Sequence, residues 1–205
     1  ELALLLRTEV LEARERTQGG DHPQTLVARS NLANSLATAG RSDEALTLRR
    51  SVVEARERTL GTDHPQTTAA RNNLANSYAD SGRHDDALLL RRQVFEVRER
   101  TLGSAHPLTI TARNNLANSL AAVGLADEAR AERERTLADS ERVLGPDHPH
   151  TVTARANLAF TDAAPAPAPD QVVPDTGTEL EPAPVPTTPA DSPTTGEAQI
   201  GRAHV

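Results

Sequence analysis

The sequence predicts an all-α fold, a right-handed solenoid of stacked helical hairpins over residues 1–160, and three observations predict it. First, Asp21-His-Pro-Gln-Thr25 returns as Asp63-His-Pro-Gln-Thr67, Ala105-His-Pro-Leu-Thr109 and Asp147-His-Pro-His-Thr151, each time after 42 residues. Second, Asn31-Leu-Ala-Asn34 keeps the same step as Asn73-Leu-Ala-Asn76, Asn115-Leu-Ala-Asn118 and Asn157-Leu-Ala159, the last followed by Phe160. Third, Thr67, Ala70, Leu74 and Tyr78 fall at i, i+3, i+7 and i+11, one stripe of a 3.6-residue period. Self-similarity at a fixed period of this length is the signature of a stacked-repeat architecture.

Each unit reads as two helices. The first starts at the Pro of the His-Pro pair, because a first-turn residue needs no backbone N–H and Pro presets the helical φ. It stops at Gly40, Gly82 or Gly124, where the chain needs a left-handed residue. The second helix opens on acids (Asp43-Glu44, Asp85-Asp86, Asp127-Glu128), which suit the positive end of the helix dipole. Its expected buried stripe is Ala45, Leu48, Val52 and Ala55, and it closes at Gly61, Gly103 or Gly145. Glu54–Arg58 and Glu96–Arg100 are spaced as i, i+4 ion pairs, which makes the recurring Arg-Glu-Arg a solvated surface feature.

One hairpin cannot bury its own apolar face, so neighbours must stack. Glu1 to Thr17 reads as the second helix of a unit whose first helix lies upstream. With no Met at position 1, the true amino terminus and any targeting signal are expected there too. In the last complete unit Val94 and Val97 become Thr136 and Asp139, which suggests a polar outer cap closed by a helix from Pro149 to about Phe160.

The unit Leu-Gly-Thr-Asp-His-Pro…Asn-Asn-Leu-Ala-Asn-Ser-Tyr…Ser-Gly-Arg-His-Asp-Asp-Ala-Leu resembles the long tetratricopeptide repeat of kinesin light chains, over residues 1–160. The common tetratricopeptide unit has about 34 residues. The resemblance implies longer helices and a Leu-Gly-x-Asp-His-Pro linker in place of the difference. It also implies a protein-binding scaffold that takes an extended peptide or partner protein in its concave groove. All 22 basic residues are Arg, a bias that a GC-rich genome of the actinobacterial kind would produce. In bacteria, repeats that look like this often follow a signalling NTPase domain, so a sensor or regulatory arm of such an enzyme is the alternative function. No Gly-rich phosphate loop is present, and there is no Lys to serve one.

Residues 161–199 form a different segment. Nine of the fourteen prolines lie beyond residue 160, among Ala, Thr, Asp and Glu, with no helical or strand period. Such a composition cannot offset its ordering entropy, so disorder is expected. The net charge of −7 resides mostly there, leaving the repeats nearly neutral, without the basic field that nucleic acid requires. The final Ile200-Gly-Arg-Ala-His-Val205 translates ATCGGAAGAGCACACGTC, which resembles a common short-read sequencing adapter, and residues 200–205 are expected to be its artefact.

Function classes narrow in the same way. With no Cys, thiolate metal sites and cysteine nucleophiles are excluded, and a reducing, cytoplasmic location is expected. No apolar run reaches the ~18–20 residues a membrane span needs. The four His-Pro loops are separated by whole hairpins, whose helix axes lie ~8–10 Å apart, whereas zinc needs His nitrogens at ~2.0–2.1 Å. Each His is therefore expected to pack or cap at its turn. Nearly every polar residue recurs with the repeat, whereas catalysis needs an asymmetric constellation. No enzyme, cofactor or metal is expected.

The candidate binding residues are asparagines: Asn31 and Asn34, then Asn72, Asn73 and Asn76, then Asn114, Asn115 and Asn118. Asn is a poor helix former, so its recurrence inside helices points to another use. In the resembled family these positions face the concave groove, and the amide's acceptor and two donors suit an extended peptide backbone. Inter-helix hydrogen bonding that fixes the stacking is the other use. Self-association through the exposed end of the array is a further expectation.

Overall fold

The computed structural model describes residues 2–163, and all its regular elements there are helices. They follow one another as α1 (Leu2–Gln18), α2 (Pro23–Thr38), α3 (Ser42–Leu60), α4 (Pro65–Asp80), α5 (His84–Leu102), α6 (Pro107–Ala122), α7 (Ala126–Leu144) and α8 (Pro149–Ala163). Each helix packs on the next in sequence, so the eight form an α-solenoid in which α2/α3, α4/α5 and α6/α7 are the complete hairpins. The expected disorder of 161–199 and the adapter reading of 200–205 fall essentially outside the described residues.

The termini form where the punctuation stands. Pro23, Pro65 and Pro107 open α2, α4 and α6, and the preceding His supplies each N-cap. At the other end Gly82 has φ +74° and lets Arg83 N–H reach back to the Tyr78 carbonyl at 2.8 Å. This closure satisfies a carbonyl that the end of the helix would otherwise strand.

The core is thin and made of small residues. Ala33, Ala75 and Ala117 on the first helices, and Ala87 and Ala129 on the second, are fully buried, which brings helix backbones close. The stripe Thr67, Ala70, Leu74 and Tyr78 is buried as its period requires. On α3 the buried set is Ala45, Leu46, Val52, Val53 and Ala55, and Leu48 is only half-buried. Leu46 replaces it because the second helix is packed from two sides, by its own first helix and by the next hairpin.

Three expectations are corrected. Arg-Glu-Arg is not surface decoration: Arg56 and Arg98 are 1% and 2% exposed, with Nη1 donating to the carbonyls of Gln66 and Leu108 at 2.9 and 3.3 Å. Between them, Glu57 accepts from Arg71 of α4 at 2.7 Å. Arg58 and Arg100 pair not with Glu54 and Glu96 but with Asp21 and Asp63 of the preceding His-Pro loop, at 2.5 and 2.7 Å. Finally, α8 closes the array on α7 as expected, but the polar residues of α7 do not form an outer face: Thr136 and Ser140 are buried. Asp139 of α7 serves a buried guanidinium instead, accepting from Arg113 at 2.5 Å.

Candidate partner-binding face

The candidate asparagines sit on α2, α4 and α6, and their environments differ. Asn31 and Asn34 are exposed, Asn73 is half-buried, and Asn72, Asn76, Asn114, Asn115 and Asn118 are buried. Two contacts join successive first helices: Asn115 Nδ2 donates to Asn72 Oδ1 at 3.3 Å, and Asn157 Nδ2 to Asn114 Oδ1 at 2.8 Å. These amides therefore form rungs between hairpins.

A second set of rungs involves arginines that sequence reasoning missed. Arg49, Arg91 and Arg133 donate through Nη2 to Asn34, Asn76 and Asn118 Oδ1, at 2.8, 3.1 and 3.1 Å. Arg91 also donates through Nη1 to the Asn115 carbonyl at 3.0 Å and to Ser119 Oγ at 2.9 Å. One planar guanidinium thus binds the first helix of its own hairpin and the first helix of the next. The rigid fork of Arg makes that bridge, and a Lys ammonium would not. Burial pushes the guanidinium pKa of Arg49 and Arg133 down, a cost that the fork's hydrogen bonds offset. A signal for these residues exists in the sequence: Arg49 and Arg56 fall at i+4 and i+11 from buried Ala45, on the same stripe as Val52.

The asparagines also carry unspent donors. The Nδ2 groups of Asn72, Asn76, Asn114 and Asn118 are buried and meet no acceptor among the described residues, although the carbonyl oxygens of the same amides are engaged. The histidines are caps: Nδ1 of His22, His64, His106 and His148 accepts the backbone N–H two residues on, at 3.1–3.3 Å. An accepting Nδ1 is unprotonated. Among the described residues no three His, Asp or Glu side chains gather where they could hold a metal ion.

Against this geometry, the family models described as tetratricopeptide repeat match residues 1–58, 28–100, 69–129 and 109–150. The chain belongs to the tetratricopeptide-repeat family. Solved structures similar to it include kinesin-light-chain-like tetratricopeptide proteins. The array superposes with a TM-score of 0.73 on a Podosopora anserina protein described as a kinesin light chain with nearly identical TPR-like repeats. The two are 28% identical, over 78% of this chain and 76% of that one, and a variant of the same protein gives the same values. BtubC (BKLC) from P. vanneervenii shares the fold at a TM-score of 0.66 and 20% identity, over 77% of this chain and 63% of that one. No curated protein shows significant sequence similarity to this chain. Tetratricopeptide arrays mediate protein–protein interactions, and no helix of the described residues is long and apolar enough to cross a membrane.

Proposed function

We propose that the array is a binding scaffold, not an enzyme, and that it holds an extended segment of a partner protein along the face formed by α2, α4 and α6. The observation that carries this reading is the row of side-chain amide donors left over at Asn72, Asn76, Asn114 and Asn118. A buried donor without an acceptor costs about 1–3 kcal/mol, so four in register favour a ligand that brings carbonyl groups at regular intervals. An extended backbone is such a ligand. Asn31, Asn34 and half-buried Asn73 form the open approach to the row. The lack of Cys supports a cytoplasmic setting for this work.

Panning a random-peptide display library against the full chain tests the reading. Enriched peptides should bind with about micromolar affinity, or roughly −8 kcal/mol, which needs several weak contacts at once. Asn31→Ala with Asn73→Ala should weaken an enriched peptide at least about tenfold while far-UV circular dichroism holds, because each leaves the stacking rungs of Arg91 and Arg133 intact. No enrichment, or enriched peptides indifferent to the double substitution, would remove the groove from consideration.

A further inference from the structure

Amide rungs join the first helices at the α4–α6 and α6–α8 junctions, where Asn115 Nδ2 donates to Asn72 Oδ1 and Asn157 Nδ2 to Asn114 Oδ1. At the α2–α4 junction the repeat-equivalent pair is Asn73 and Ser30, so a serine stands where the other junctions have an asparagine acceptor. A serine side chain is one bond, about 1.5 Å, shorter than an asparagine. The contact that measures 3.3 Å between Asn115 and Asn72 therefore opens to roughly 5 Å at this junction. That is too long for a hydrogen bond and close to the span of two consecutive ones.

The groups facing the gap decide what it takes. A cavity of about 10 Å³ lies there, lined by Ser30 and Asn34 of α2, Arg49 and Val52 of α3, and Ala70 and Asn73 of α4. Ser30 Oγ spends its proton on the Leu26 carbonyl at 3.0 Å, which leaves only its lone pairs for the cavity. Asn73 Oδ1 is buried and accepts from no group among the described residues. Both oxygens are acceptors, so neither satisfies the other, and what lies between them must bring two donors. The volume is at the lower limit for a single water. A cation is disfavoured, because the wall includes the Arg49 guanidinium, which donates through Nη2 to Asn34 Oδ1 at 2.8 Å.

We infer that this cavity is a binding site for one water molecule, which donates to Ser30 Oγ and to Asn73 Oδ1 and so takes the place of the amide rung between α2 and α4. A bridging water is enthalpically nearly as good as a direct hydrogen bond, so the junction keeps its connection although the serine is too short to make it. The inference concerns how the first complete hairpin is joined to the second and uses Asn73 Oδ1 alone. It does not rest on the extended-segment reading.

The full chain, Ser30→Asn and Ser30→Val together test it, since Ser, Asn and Val differ little in helix propensity. In a high-resolution crystal structure of the full chain a water should lie within about 3.2 Å of both Ser30 Oγ and Asn73 Oδ1. Ser30→Asn should displace that water, with the Asn73 amide donating to the introduced carbonyl, and should melt no lower than the parent. Ser30→Val fills the cavity but strands Asn73 Oδ1, and should melt about 2–4 °C lower. Filling a dry void would instead raise the melting temperature. A Ser30→Val chain that melts at or above the parent therefore overturns the inference. So does a direct hydrogen bond between Ser30 and Asn73 in the crystal, or a water that keeps its place in Ser30→Asn.

Discussion

Arg91 Nη2 donates to Asn76 Oδ1 at 3.1 Å, joining a guanidinium that is 2% exposed on α5 to an amide on the first helix of the same hairpin. The same guanidinium also holds α6, so this pair sits where two hairpins meet. Asn76→Ala removes one acceptor from this buried guanidinium. It should destabilise the chain by about 1.5–3 kcal/mol, even though Ala is the better helix former. Asn31→Ala, exposed, should stay within about 0.5 kcal/mol. Urea denaturation of the two variants separates them, and equal midpoints would show that the rung contributes nothing.

Arg91→Lys tests the fork itself. An ammonium at that place cannot reach Asn76 and the Asn115 carbonyl together, so the substitution should cost at least as much as Asn76→Ala, and the two changes combined should be less than additive. A double-mutant cycle gives the coupling. Strict additivity would mean that the two residues act separately.

Asp139 gives a pH signature. Burial raises its pKa, but hydrogen bonds and charges from Arg113 and Arg142 outweigh that and hold it below the ordinary carboxylate value. A carboxylate depressed in the folded state stabilises the fold above its unfolded pKa of about 3.9. That contribution is lost as pH falls through the lower folded value. Asp139→Asn should therefore be less stable than the parent at neutral pH, and the gap should close as pH is lowered below about 4. A gap that persists unchanged at pH 2.5 would show that the side chain acts by shape and not by charge.

The histidine caps make a fourth prediction. His64 Nδ1 accepts the Gln66 N–H at 3.2 Å, and His64→Asn retains a short side-chain acceptor while His64→Ala does not. The Ala variant should lose about 0.5–2 kcal/mol and the Asn variant much less. Thermal melts of both would show it, and identical losses would assign His64 a packing role instead.

The exposed pair Arg58–Asp21, with side chains 60% and 51% exposed, lies at the other extreme. Asp21→Ala should change stability by no more than about 1 kcal/mol, and the change should vanish in high salt. Denaturation at low and high ionic strength measures it.

Element order was legible in the sequence because punctuation is local. A Pro that needs no donor and a Gly that tolerates positive φ, as Gly82 does at +74°, act within one turn of the chain. The apolar stripe through Thr67 and Tyr78 was legible for the same reason. The burial of Arg56 and Arg98 was not read correctly, since a charged residue beside Glu reads as solvated whatever lies opposite it, and Arg91 drew no reading at all. Yet the stripe through Ala45, Arg49, Val52 and Arg56 carried the information. The candidate asparagines were legible as a recurring set, but not as a graded one, open at Asn31 and Asn34, half-buried at Asn73, and covered at Asn72, Asn76, Asn114, Asn115 and Asn118.

By itself, then, the sequence determined the all-α class, the 42-residue step, the helix boundaries and the family. Each of these depends on residues within a helical turn of one another, or on a period counted along the chain. Only the tertiary structure decided which acid each arginine meets, as with Arg58 choosing Asp21 over Glu54. It alone also showed that the Arg91 guanidinium on α5 joins Asn76 of α4 to the Asn115 carbonyl of α6. The reason is physical: a partner's distance in space depends on how hairpins stack, and stacking brings together side chains that the sequence holds dozens of residues apart.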